Sequence, residues 1–329
     1  RSAKNQIMLE ILIADLLNEL DQEAVEGALT NLAESSLRFT SELIFGANTE
    51  LGMDRLAILG MGRLAGWEMN YGSDLDLILL APSNAGAEVA ATAKDSRRLM
   101  QTLSASTEWG QLYDIDVRLR PHGSAGTLVT GLSGMVRYHT GARDIWERQV
   151  MLRCRPIQDR EGQLRTALQE IGEAIFIGRD DRLLKREIRH MRLRVQKELG
   201  TPIGKYDIKR GYGGIMDIDF IAHYLQLAHG PELVDLRSAS TRQVLRKAKH
   251  YGLLARETLD TLLQAYDFLK RIEGRLRLFD VKPIHAMASD SAELTWLARA
   301  ADIDSAEELI NRYRVTTDSV RQRFDEIMV

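Results

Sequence analysis

The sequence is poor in cysteine, proline and aromatic residues: one cysteine, six prolines, and 6% Phe, Trp and Tyr across 329 residues. A lone Cys154 excludes an internal disulfide and a cysteine-based zinc centre, and it fits a reducing compartment, so a cytoplasmic location is expected. Few aromatics and prolines argue against a β-sandwich and for helices, which draw on Leu, Ala, Glu and Arg. Long apolar runs are missing too. The apolar stretch Ile7–Leu20 is interrupted by Glu10, Asp15, Asn18 and Glu19. Nothing approaches the roughly 20 residues that cross a bilayer, so neither a signal peptide nor a membrane partner is expected. The net charge is −3 rather than basic, which excludes bulk nucleic-acid binding. Seven histidines show no metal-ligand spacing.

What is present is ample core material. The chain is 44% hydrophobic and 28% charged, enough for a soluble protein of about two domains. It opens on Arg1 rather than methionine, as a piece of something longer would.

Apolar residues from Ile7 to Phe45 recur at three- and four-residue steps, which predicts two helices joined near Asp21. Asn48–Asp54 reads as a polar connector. Two short apolar runs, Leu56–Leu59 and Leu75–Leu80, flank a glycine-rich segment and predict buried strands. Lys94–Thr107 has helical spacing, and Leu112–Leu119 alternates as a half-buried strand does. After about residue 165 the pattern is helical throughout. Leu184, Ile188, Met191, Val195 and Leu199 form an apolar stripe, with Arg182, Lys185, Arg186, Arg189 and Arg192 as a solvated basic face opposite. The expected fold is α+β: N-terminal helices over residues 1–50, a small sheet domain over 51–165, and a helical bundle over 166–329.

The chemistry concentrates in Gly72-Ser73-Asp74-Leu75-Asp76-Leu77. On a strand, alternate side chains share a face, so Asp74 and Asp76 point one way while Leu75, Leu77 and Leu79 enter the core. Two carboxylates on one face repel unless a cation lies between them, and hard oxygen ligands favour magnesium. Gly72 allows close approach of a phosphate, and Ser73 offers a hydroxyl donor. On the second strand Asp114, Asp116, Arg118 and Arg120 share a face, offering a third carboxylate and guanidinium groups for a triphosphate. Alternation alone does not choose Asp116 over Asp114.

The run Gly60-Met61-Gly62-Arg63 followed by Gly72-Ser73-Asp74-Leu75-Asp76 resembles the nucleotidyltransferases of the DNA polymerase β superfamily. More narrowly, Gly60–Leu80, Asp116–Thr130, Trp146-Glu147-Arg148 and Asp207–Phe220 resemble the glutamine synthetase adenylyltransferases. Arg63 stands where that family usually has lysine, Ala65 where it has glycine, and Asp219 where it has glutamate. Tyr71–Asp76, the stretch from Ser124 to Thr130 and Gly214–Phe220 look more like the family's carboxy-terminal adenylylating unit than its amino-terminal deadenylylating one.

The resemblance implies a polymerase β-type sheet domain and transfer of AMP from ATP to a tyrosine of glutamine synthetase, with release of pyrophosphate. It implies catalysis and binding of two Mg²⁺ ions by Asp74, Asp76 and Asp116. It implies nucleotide contacts at Gly62, Arg63, Gly72, Ser73, Arg118, Arg120 and Lys209. A PII-type signal protein and glutamine are the implied regulators. Phosphorolytic removal of AMP, giving ADP, is the alternative reaction, and a silent regulatory fragment the alternative class. Asp217 and Asp219 read as favourable charges in a first helical turn, with ligands the alternative, and Arg148, Arg153 and Arg155 as surface ion pairs, with a lining of the cleft the alternative.

Overall fold

A computed structural model of the chain describes residues 1–46, 55–141, 144–159, 162–178, 180–200, 206–279, 286–287 and 291–329. The connector read at Asn48–Asp54 lies outside them. The architecture is α+β, mostly helical, with one small mixed sheet. The chain divides into two compact units, Arg1–Ile177 and Gly178–Val329.

In the first unit, α1 (Ser2–Leu16) packs on α2 (Gln22–Phe45). Asp21 caps α2, its carboxylate accepting from the Ala24 amide, one of the donors a helix start leaves without a partner. The sheet is built on β1 (Ala57–Met61) and β2 (Leu75–Ala81), antiparallel and paired from Ala57↔Leu80 to Gly60↔Leu77. Ile58, Leu59, Leu75, Leu77, Ile78, Leu79 and Leu80 are all buried. Both faces of these strands are therefore covered, which is why they read as continuous apolar runs. Strands β3 (Ile115–Asp116) and β4 (Val129–Gly131) run parallel to β2, and β5 (Cys154–Gln158) runs antiparallel to β1. Helices α3 (Gly62–Ala65), α4 (Gly86–Ser104), α5 (Leu132–Thr140), α6 (Ile145–Leu152) and α7 (Gln163–Ile175) complete the unit. Helix α7 packs on α5 and spans the boundary drawn from sequence at residue 165.

The second unit is a helical bundle around α9 (Ile215–His229), whose residues are almost all buried. It packs against α8 (Asp181–Leu199), α10 (Thr241–His250), α11 (Arg256–Phe279) and α13 (Ala306–Ile327). Helix α12 (Ser291–Ala300) and a two-residue ladder of β6 (Tyr206–Asp207) with β7 (Ala286–Met287) are also described. No described helix is long and apolar enough to cross a membrane.

Three sequence expectations need correction. The strand read over Leu112–Leu119 is only Ile115–Asp116, because the chain turns at Val117–Arg120, where the Arg120 amide donates to the Val117 carbonyl. The buried face of α8 is Leu184, Ile188 and Arg192; Leu199 is exposed and Arg192 is fully buried rather than solvated. Strand β5 has no clear signature in the sequence, because Cys154-Arg155-Pro156-Ile157-Gln158 contains a proline. Pro156 is tolerated because β5 pairs with β1 alone, at the end of the strand order.

Candidate metal and nucleotide site

The two parallel strands β2 and β3 bring the acidic residues together. Their register pairs Asp76 with Asp116, and the Leu75 amide donates to the Asp114 carbonyl at 2.8 Å. Asp74 sits just before β2. One carboxylate oxygen from each of Asp74, Asp76 and Asp116 lies within 4.8 Å of the others, with Asp74 exposed and the other two half-buried. Asp114 is outside this group; it is exposed and its carboxylate accepts from Gln111 Nε2 at 2.6 Å. Oxygens at that spacing suit a hard divalent cation, whose octahedral ligands stand about 3–4 Å apart.

The turn before β2 is built from its own side chains and the N-terminal helices. Ser73 Oγ accepts from the Asn70 amide at 3.1 Å, and the Ser73 amide donates to the Asn70 carbonyl. Gly72 has φ +58°, a left-handed conformation that disfavours a side chain. The buried Tyr71 hydroxyl donates to Asp15 of α1 at 2.8 Å, and the Met69 amide donates to Thr30 of α2. Asp15, which interrupts an apolar stretch, is thus a buried anchor for the turn; that isolated carboxylate was its only signal in the sequence.

Gly62, at φ +55°, opens α3 directly beside the trio. A β-carbon placed there would lie 2.8 Å from Asp76 Oδ2. Arg63 follows on α3 and is half-buried. Arg118 forms a forked ion pair with Asp116, which also accepts from the Arg118 amide at 2.8 Å. These bonds hold the Asp116 carboxyl below its ordinary value, with Arg120 adding a weaker pull. Arg120 has a structural task as well: its guanidinium donates to the carbonyls of Val117 and Gly126, closing the turn after β3. Lys209 lies in the second unit, on a turn where Asp207 accepts from the amides of Lys209 and Arg210.

Because Arg118 is the main cause of the Asp116 shift, Arg118→Gln is expected to raise the Asp116 titration midpoint towards the ordinary carboxylate value. The folded value lies below the unfolded one, so the stabilisation from this charge is present above the unfolded value and fades as pH falls through the folded one. Carboxyl-carbon NMR titration of the metal-free protein reads the midpoint; no upward movement would remove Arg118 as the cause.

Three arginines read as surface pairs are placed otherwise. Arg148 donates to the Ala174 carbonyl at 3.1 Å. Arg153 pairs with Glu68, which is 1% exposed, and Arg155 pairs with Glu34, which is 7% exposed. Cys154, between them on β5, is half-buried, and burial pushes its thiol up to about 12, which disfavours the nucleophilic thiolate.

Residues 1–171 match a family described as glutamate-ammonia ligase adenylyltransferase, and residues 182–328 match one described as GlnD PII-uridylyltransferase. Several curated relatives are described as bifunctional glutamine synthetase adenylyltransferase/adenylyl-removing enzymes. The one from Burkholderia pseudomallei is 34% identical over 84% of this chain and 31% of its own length. That from Methylococcus capsulatus is 30% identical over 99% of this chain and 36% of its own. That from Streptomyces avermitilis is 28% identical over 99% of this chain and 33% of its own. The chain spans about a third of the length of the curated relatives it matches.

Proposed function

This chain belongs to the glutamate-ammonia ligase adenylyltransferase family, and from that premise we propose that it moves AMP from ATP to a tyrosine hydroxyl of glutamine synthetase, releasing pyrophosphate. The observation that carries the reading is the convergence of Asp74, Asp76 and Asp116 within 4.8 Å, beside two left-handed glycines. A binding module has no use for three like charges held together at electrostatic cost. The first unit is read as a nucleotidyltransferase domain of the polymerase β type, because its carboxylates sit at the start of a central strand and on the parallel strand next to it.

In this reading Asp74, Asp76 and Asp116 hold two Mg²⁺ ions, which when bound neutralise triphosphate charge and lower the pKa of the attacking hydroxyl. The chain's own residues do the positioning. Gly72 and Gly62 keep side chains out of the space the phosphates need, and Ser73 fixes the turn between them. Arg63 and Arg118 supply guanidinium groups for phosphate oxygens. The second unit, matched to a family with PII in its name, is where we place contact with a PII-type signal protein. Control by glutamine and a cytoplasmic location belong to the same proposal.

The test is incubation of the chain with unmodified glutamine synthetase, Mg²⁺ and ATP labelled in the α-phosphate. Covalent label on a glutamine synthetase tyrosine is the expected result. The bifunctional names of the relatives favour one second reading, phosphorolytic removal; adenylylated glutamine synthetase with phosphate would then yield ADP. Folded protein that does neither would be a regulatory fragment, and the enzymatic reading would be lost.

A further inference from the structure

Arg155 has a place in the fold that ordinary strand stabilisation does not explain. It lies on β5 opposite Gly60 of β1, at the root of the glycine-rich segment. Its Nε donates to the Ala65 carbonyl at 3.1 Å and its Nη2 to the Leu64 carbonyl at 3.0 Å. These carbonyls close the carboxy end of the one-turn α3, where the Leu64 carbonyl also accepts from the Trp67 amide. The same guanidinium pairs with the buried Glu34 of α2 and lies 4.5 Å from the ring centre of Trp67, which itself has φ +59°. One planar group therefore joins a strand, two carbonyls of α3, the distant helix α2 and an aromatic face. At the other end of α3 the Gly62 amide donates to the Arg153 carbonyl at 2.9 Å, and Gly62 abuts Asp76.

We propose that Arg155, braced by Glu34, is a positioning residue for nucleotide binding: it fixes the Gly60–Gly66 loop at the height where Gly62 and Arg63 meet the phosphates of ATP next to Asp76. The inference rests on the nucleotidyltransferase reading above. It assigns to α2 a part in the site, since the Arg155 that holds the loop is itself anchored to Glu34, 121 residues from it in sequence. Lysine cannot substitute, because a single ammonium lacks the fork that spans both carbonyls and the flat face that stacks on Trp67.

The experiment compares wild type with Arg155→Lys and Glu34→Gln for KM(ATP), kcat and Tm in the AMP-transfer assay with glutamine synthetase, alongside equilibrium binding of Mg²⁺-ATP. Each single variant is expected to raise KM(ATP) and the nucleotide Kd about tenfold, with kcat within about threefold and Tm within a few degrees. The double variant is expected to be no worse than the poorer single one, because both act through one loop. An unchanged KM(ATP) with lowered Tm would make the cluster purely structural and overturn the proposal. So would additive effects in the double variant. Should Arg155→Lys fail to fold, Glu34→Gln carries the same test. A wild type that binds Mg²⁺-ATP but transfers nothing counts against the adenylyltransferase reading, while the Kd comparison still decides the role of Arg155.

Discussion

Asp76→Asn is expected to lower AMP transfer at least about 10³-fold while leaving the circular dichroism spectrum unchanged. A thousandfold is about 4 kcal/mol of transition-state stabilisation, the scale at which a metal or a preorganised charge acts on a phosphoryl group. Asp76 has the most company of the proposed ligands: it shares the β2–β3 register with Asp116 and faces Gly62. The metal-free protein should not lose stability, since three carboxylates within 4.8 Å repel and removing one charge relieves that repulsion. Asp74→Asn combined with Asp76→Asn should also abolish any rise of Tm on adding Mg²⁺, because a ligand stabilises only the state that binds it. A double variant that still transfers AMP, or still gains Tm with Mg²⁺, would remove these side chains from the metal site.

Asp217→Ala is expected to be the most destabilising substitution in the second unit. Asp217 and Arg192 are both 0% exposed and paired, and Arg321 Nη1 stands 3.4 Å from the same carboxylate. The Gly213 amide donates to Asp217 at 2.9 Å, and Arg192 also donates to the carbonyls of Arg210 and Gly211. Gly213 has φ +64°, and a β-carbon there would fall 1.8 Å from the Thr317 carbonyl oxygen, so this turn admits no side chain. Burial pushes the Asp217 carboxyl above the ordinary range, while the two guanidinium groups and the amide pull it down. Truncating it strands a fully buried guanidinium, which costs about 3–5 kcal/mol, on the order of 10 °C in Tm for a unit of this size. Replacing Asp217 and Arg192 together by apolar residues should cost less than the single change, since no charge is left alone. Urea and thermal midpoints measure both; a loss under about 1 kcal/mol for Asp217→Ala would mean the cluster is not a packing hub.

The roles that sequence reading missed are the paired ones. Asp217 reads as a first-turn charge, because position 3 of a helix favours carboxylates whatever they touch. Arg192 reads as solvated, because its neighbours Arg182, Arg186 and Arg189 are charged and nothing local marks one arginine of the series as buried. Arg155 looks like a surface residue until β5 is seen to lie beside β1. Asp15 gave a faint signal, as a charge in an apolar stretch.

Elements whose cause is local are legible from neighbouring residues alone. Helical periodicity marks α1 and α2, apolar runs mark β1 and β2, and Gly72-Ser73-Asp74-Leu75-Asp76 sets two carboxylates on one side of a strand start. Adjacent residues suffice for each of these, because side-chain direction repeats with backbone geometry. Alternation left Asp114 and Asp116 equal; the family resemblance favoured Asp116, and the β2–β3 register sets it beside Asp76. That β3 is two residues long, and that Asp217 and Glu34 hold Arg192 and Arg155, came only with the folded chain. Those outcomes depend on which strands pair, in what register, and which charges are buried together, and no local periodicity carries that information.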